Sequence, residues 1–433
     1  MKKRIIIMTV CLMLLTGCGR SGSNAEHPED TPWNNGFHAI MENDKGWYTN
    51  ESAADILSLR YTDKESGVQV YLCSRPECLH EGGDSCTATY NDLEPVNTLM
   101  YEGDIYFVAY EQDEETAGIA LYRAAADGST LDKAADVYKI KFPQDDRCDI
   151  DNVPFIIHKG YAYIPFDLSK RSLPGFGGYI DSGLMKVNIY TGECEEIVSD
   201  DEGYFSRRVS RLKGCGDYVY FDYTGMKPGD SGTYRYNITS GEVSPTIVDD
   251  ENYTVLSGVT PDRVYVSTAN ENFCLRIKSY DSETLEYIGI AADTDERNMA
   301  SCTLFYNDMI FICGDNDINV YRDGKRIGGL ADCGVDTDEF EYSGNVTYYR
   351  YQNFLCKISE NYLYRIRPSD YFFEDRICYY IERCPLEDII SGEGEFEEVV
   401  QVSDERGRTI LLGGYTGEVY YGDPEEEAEE NEP

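Results

Sequence analysis

One short pattern recurs along this chain and restricts what it can fold into. A turn of Gly, Asp or Asn is followed by an alternating run that ends in an aromatic residue. Copies are Asp44-Lys45-Gly46-Trp47-Tyr48, Glu102-Gly103-Asp104-Ile105-Tyr106-Phe107, Lys159-Gly160-Tyr161-Ala162-Tyr163 and Cys215-Gly216-Asp217-Tyr218-Val219-Tyr220. Pro261-Asp262-Arg263-Val264-Tyr265, Asn307-Asp308-Met309-Ile310-Phe311 and Asp375-Arg376-Ile377-Cys378-Tyr379 fit as well. Each copy starts a strand whose period-2 alternation buries one face. From Tyr48 through Tyr106, Tyr163, Tyr220 and Tyr265 to Phe311, the aromatic anchors are 58, 57, 57, 45 and 46 residues apart.

A second signature follows each anchor: strand, tight turn, strand. Examples are Leu121-Tyr122-Arg123 with Asp127-Gly128, Tyr234-Arg235-Tyr236 with Ser240-Gly241-Glu242, and Ile318-Asn319-Val320-Tyr321 with Asp323-Gly324-Lys325. These are hairpins with turn residues at the bend. Two hairpins per repeat make a four-stranded unit, and such a unit every 40–50 residues or so is a β-propeller blade. No stretch carries a capped helical period of ordinary length. The 37 tyrosines and 39 glycines suit many short strands and turns. The chain therefore reads as all-β: a single β-propeller with seven blades expected, six or eight being the neighbouring solutions. After Phe311 the period blurs. Val346-Thr347-Tyr348, Tyr362-Leu363-Tyr364 and Ile377-Cys378-Tyr379 compete as anchors, and Glu418-Val419-Tyr420 is expected to close the ring against the first blade.

The ends carry different information. Lys2, Lys3 and Arg4 precede an apolar run from Ile5 to Leu15, shorter than the ~20 residues that span a bilayer. Leu15-Thr16-Gly17-Cys18 then resembles the lipobox of bacterial lipoproteins, which implies cleavage before Cys18 and lipidation of its sulfur. Two or more acyl chains anchor stably, at about 0.8 kcal/mol per buried CH₂. Residues 1–17 thus read as a signal peptide, 18–35 as a lipidated tether, 36–422 as the propeller, and 423–433 as an acidic disordered tail. The expected address is the extracytoplasmic face of the cell membrane. With 80 acidic against 38 basic residues, a net charge of −42, the chain has no basic face for nucleic acid or for anionic lipid. Lipobox, strand starts and a Cys-rich loop together resemble the β-propeller lipoproteins of anaerobic gut bacteria. The resemblance implies architecture and address, and no particular activity.

That loop carries the strongest chemical signal. Cys73, Cys78, His80 and Cys86 follow a C-x4-C-x-H-x5-C spacing. Three thiolates and an imidazole are the donor set of a tetrahedral Cys₃His zinc site, with iron the second choice. A disulfide joining Cys73 or Cys78 to Cys86, with His80 idle, is the alternative that an extracytoplasmic address favours. Several other cysteines, Cys274, Cys302, Cys313, Cys356 and Cys378, sit in strand-like runs and read as small buried hydrophobes.

Other motifs fail on inspection. Gly229-Asp230-Ser231-Gly232 resembles a serine-protease nucleophile loop, but Thr233 breaks the pattern and no histidine has the matching context. Asp315-Asn316-Asp317 begins like a calcium loop, but Val320 and Arg326 stand where its Gly and Glu belong. No catalytic residue is assigned. The expected role is binding, of a ligand, glycan or envelope protein. An enzyme using carboxylates at the channel mouth, a lyase or hydrolase, and an assembly scaffold are the alternatives.

Overall fold

A computed structural model shows the chain as a seven-bladed β-propeller. It describes residues 41–399 and 412–413. Its breaks are at 54–55, 67, 81–85, 91–93, 113–115, 142–147, 151–154, 171–177, 200–208, 224–230, 248–253, 270–273, 295–301, 315–316, 332–356, 360 and 374–375. The expected signal peptide, lipobox, tether, ring-closing Glu418–Tyr420 and acidic tail lie outside the described residues.

Among the described residues there are seven antiparallel sheets, each built on a four-strand meander, and three of them carry one further short strand. Blade 4 is representative: Val209–Cys215, Tyr218–Tyr223, Gly232–Asn237 and Val243–Ile247, paired in that order. The recurring turn of the sequence is the two-residue bend between the first and second strands. Glu102-Gly103 and Lys159-Gly160 both place two residues at positive φ, the requirement of a type I′ hairpin. Two-residue bends also fall at Gly216-Asp217 and Asn307-Asp308, where Cys215 pairs Tyr218 and Tyr306 pairs Met309, with only Gly216 and Asn307 at positive φ.

The aromatic anchors lie on second strands and fill the spaces between blades. Tyr48, Tyr106, Tyr163, Tyr220 and Phe311 are each at most 2% exposed. Six apolar clusters join the seven blades in series, blade 1 to 2 through to 6 to 7. Each blade thus depends on its neighbours for its core.

Blade 7 corrects one reading. Its second strand is Tyr362–Phe373, with Tyr364 buried as the anchor, and Arg376–Pro385 is its third strand. The copy at Asp375–Tyr379 is therefore not a second-strand start. A short helix, Leu386–Ser391, interrupts the return to the fourth strand. Gly392 at φ 79 ends it, its N–H bonding to the carbonyls of Asp388 and Ile389.

Polar links cross between blades as well. In blade 4, the carboxylate of Asp222 accepts the Leu256 N–H of blade 5 at 2.9 and 3.0 Å. It also accepts the Thr233 hydroxyl at 2.9 Å and an Arg211 N–H at 3.5 Å. Burial raises its pKa to about 6 in spite of these donors.

Candidate metal centre

The Cys-rich loop is an excursion from the outermost strand of blade 1. That strand is split. Gln69–Tyr71 and Thr89–Tyr90 pair with successive parts of the same neighbour, Ile56–Asp63. The halves meet at Leu59, whose N–H bonds to the Ala88 carbonyl and whose carbonyl accepts the Leu72 N–H. Cys73 follows Leu72 directly, and Cys86 stands two residues before Ala88. Two of the four donors therefore sit at the base of the excursion.

The side chains converge. One donor atom from each of Cys73, Cys78, His80 and Cys86 lies within 4.8 Å of every other. His80 Nδ1 is 3.6 Å from Cys86 Sγ. A tetrahedral zinc at the usual bond lengths spaces its donors about 3.5–3.8 Å apart. All three cysteines are free thiols, with Cys86 buried and Cys73 and Cys78 half-buried. The idle, outward-pointing His80 that a disulfide arrangement allows is not what the structure shows.

The surroundings prepare the set. Burial alone would raise the Cys73 pKa. The Arg75 and Thr87 backbone N–H groups, the Thr87 hydroxyl and the Cys78 thiol outweigh it and bring the value down to about 7. At Cys78 the His80 N–H lowers the pKa, but burial and the Cys86 and Cys73 sulfurs leave it raised. One thiolate forms readily, and the crowding of the others is what a bound cation relieves. His80 takes φ 55, a left-handed conformation costly for any residue with a Cβ. Its ring stacks on Tyr71 at 4.3 Å with the planes 17° apart, and the Arg60 guanidinium covers the other face of Tyr71 at 3.3 Å. Tyr71 and Arg60 thus fix the imidazole plane.

Blade 2 holds the base of the loop. The Gly128 carbonyl accepts the Ser74 N–H at 3.1 Å and the Thr87 hydroxyl at 2.7 Å. Gly128 has φ +70, and a Cβ there would lie 2.7 Å from the Leu72 carbonyl carbon. The four donors were legible in the sequence. Arg60, Tyr71, Thr87 and Gly128 were not, because only strand pairing brings them to the loop.

The other sequence candidates fall elsewhere. Gly229 and Asp230 lie outside the described residues, and Ser231 is exposed at the start of the blade 4 third strand. Cys274 and Cys313 are buried as expected, while Cys356 lies outside the described residues. His158 is fully buried, with Nε2 2.9 Å from the Gly216 carbonyl oxygen.

No protein family's sequence profile matches the chain, and no curated protein matches it. Solved structures resemble it at low identity. Oligogalacturonate lyase from Vibrio parahaemolyticus has a TM-score of 0.49 at 10% identity, over 78% of this chain and 86% of that one. Oligogalacturonate lyase in complex with manganese gives 0.46 at 11%, over 72% and 79%. The β-propeller domain of the Trilobed protease from Pyrococcus furiosus gives 0.38 at 10%, over 66% and 79%.

Proposed function

We propose that this chain is an extracytoplasmic binding module. In this reading lipid on Cys18 holds it to the membrane, and the Cys73, Cys78, His80 and Cys86 donors hold one structural zinc. The observation that carries the structural role is the position of the donors. They close the base of an excursion at the outer rim, with all four positions filled by protein, whereas a catalytic zinc keeps one open. The metal would complete the docking of the loop on blade 2.

Ligand binding is assigned to one end of the ring. In a meander blade the turns between strands one and two, and three and four, lie at the same end. Outside blade 7, where the helix Leu386–Ser391 intervenes, these are short, such as Gly216-Asp217 and Asp323-Gly324. In chain order the longer connections join strands two and three of a blade or one blade to the next. Variable loops on a rigid ring are the usual seat of recognition.

The test is a glycan and peptide panel probed with the mature protein, each hit then followed by mass spectrometry for turnover. Hits that are bound unchanged, and lost when 224–231 is replaced by a short turn, support the reading. Turnover of a hit, or binding lost only on substitution of Asp217 in the tight-turn end, contradicts it.

A further inference from the structure

The innermost strand of each blade borders the ring axis. In blades 4 to 7 these strands are Val209–Cys215, Val255–Val259, Cys302–Tyr306 and Lys357–Ser359. They carry Arg211, Lys213 and Lys357 and no acidic residue, although the chain has twice as many acidic as basic residues. The corresponding strands of blades 1 to 3 carry Glu42, Glu94 and Asp149, so the basic residues of the innermost strands belong to blades 4 to 7.

Arg211 is unusual within this set. The ladder of blade 4 shifts register between Ser210 and Lys213, and Arg211 sits in that bulge at φ 53. The innermost strand of blade 5 also shifts register, between Leu256 and Gly258. Asp222 bridges the two irregular strands, taking the Leu256 N–H on one side and Arg211 on the other. Bulges re-aim side chains, and strained non-glycine residues persist where the surroundings impose them.

An ion pair made for stability looks different in this same protein. Arg365 and Glu382 meet at 2.8 Å with side chains 5% and 7% exposed, and Phe396 covers the guanidinium. Arg211 stays half exposed and reaches Asp222 through one nitrogen at 3.5 Å. A guanidinium has five N–H donors in a planar fork. The contact with Asp222 uses one edge and leaves a fork of the kind that receives carboxylates.

We propose that Arg211 anchors a carboxylate-binding site on the channel wall between blades 4 and 5. The inference rests on the binding reading above and gives its ligand a chemical class. Asp222 behind the guanidinium limits the charge the site accepts. Repulsion from the Asp222 carboxylate is about twice as large for a phosphate dianion as for a singly charged carboxylate.

The test uses the mature full-length protein and D-glucuronate as probe, with glucose and inorganic phosphate as controls. Binding is read by titration. Glucuronate is expected to bind in preference to both controls. Arg211→Gln is expected to weaken it at least about tenfold, the value of one charged hydrogen bond, and Arg211→Lys less. A second readout needs no variant. Phenylglyoxal modifies exposed arginines, and glucuronate should slow modification of Arg211 while leaving Arg322, paired with Asp308 and similarly exposed, unaffected. Equal modification of Arg211 with and without glucuronate, or equal binding of phosphate, overturns the inference. A panel ligand that needs 224–231 but ignores both Arg211→Gln and glucuronate competition overturns it too, and leaves the binding reading standing.

Discussion

Asp222 makes this protein's stability depend on pH in a direction opposite to that of most paired carboxylates. Folding moves its carboxyl from 3.8 to about 6, because burial outweighs the donors from Leu256, Thr233 and Arg211. Between those pH values the folded chain holds a proton that the unfolded chain has released. The contribution is therefore full below pH 3.8 and lost as pH rises through 6. About two pKa units correspond to roughly 3 kcal/mol. Asp222→Asn removes the titration and keeps the shape. The assay is urea unfolding of both proteins from pH 4 to pH 7, taking the difference at each pH so that the titration of the other 79 acidic residues cancels. The wild type should lose about 2.4 kcal/mol relative to the variant across that range. A difference that stays flat, or runs the other way, refutes the assignment of a buried, desolvated carboxylate bridging blades 4 and 5.

Gly128→Ala should weaken zinc binding in chelator competition and destabilise the fold by about 1–3 kcal/mol, since it adds strain and a clash with Leu72. Gly103→Ala, also at positive φ but with nothing within 4 Å of its Cβ, should cost only about 1 kcal/mol and leave zinc binding unchanged. Phe311→Ala empties a site between blades 6 and 7 and should cost about 3–5 kcal/mol in urea unfolding. Cys18→Ala should leave the protein uncleaved or released on fractionation, and a variant that still partitions with membranes as processed wild type contradicts the lipobox.

The repeat was legible because each blade has the same problem to solve. It must bend sharply after its first strand and bury its second against a neighbour, and both needs leave local marks in Gly103, Gly160, Tyr106 and Tyr163. Blade 7 escaped because 331–356 stretches the period, and because Arg376–Pro385 alternates as a second strand would. The donors Cys73, Cys78, His80 and Cys86 stood out by type and spacing. Their placement did not, since it depends on Leu59 pairing with residues on both sides of the loop. Arg211 gave no signal at all. Its left-handed backbone and its links through Asp222 to Leu256 arise from pairings distant in sequence.

The metal itself tests the central claim most directly. Protein purified under reducing conditions should be assayed for bound metal and free thiols, and its zinc edge examined by X-ray absorption. The account predicts about one zinc per chain, with three sulfurs near 2.3 Å and one nitrogen near 2.0–2.1 Å. Metal well below one per chain, with a thiol count two short and Cys86 recovered in a disulfide with Cys73 or Cys78, would contradict it.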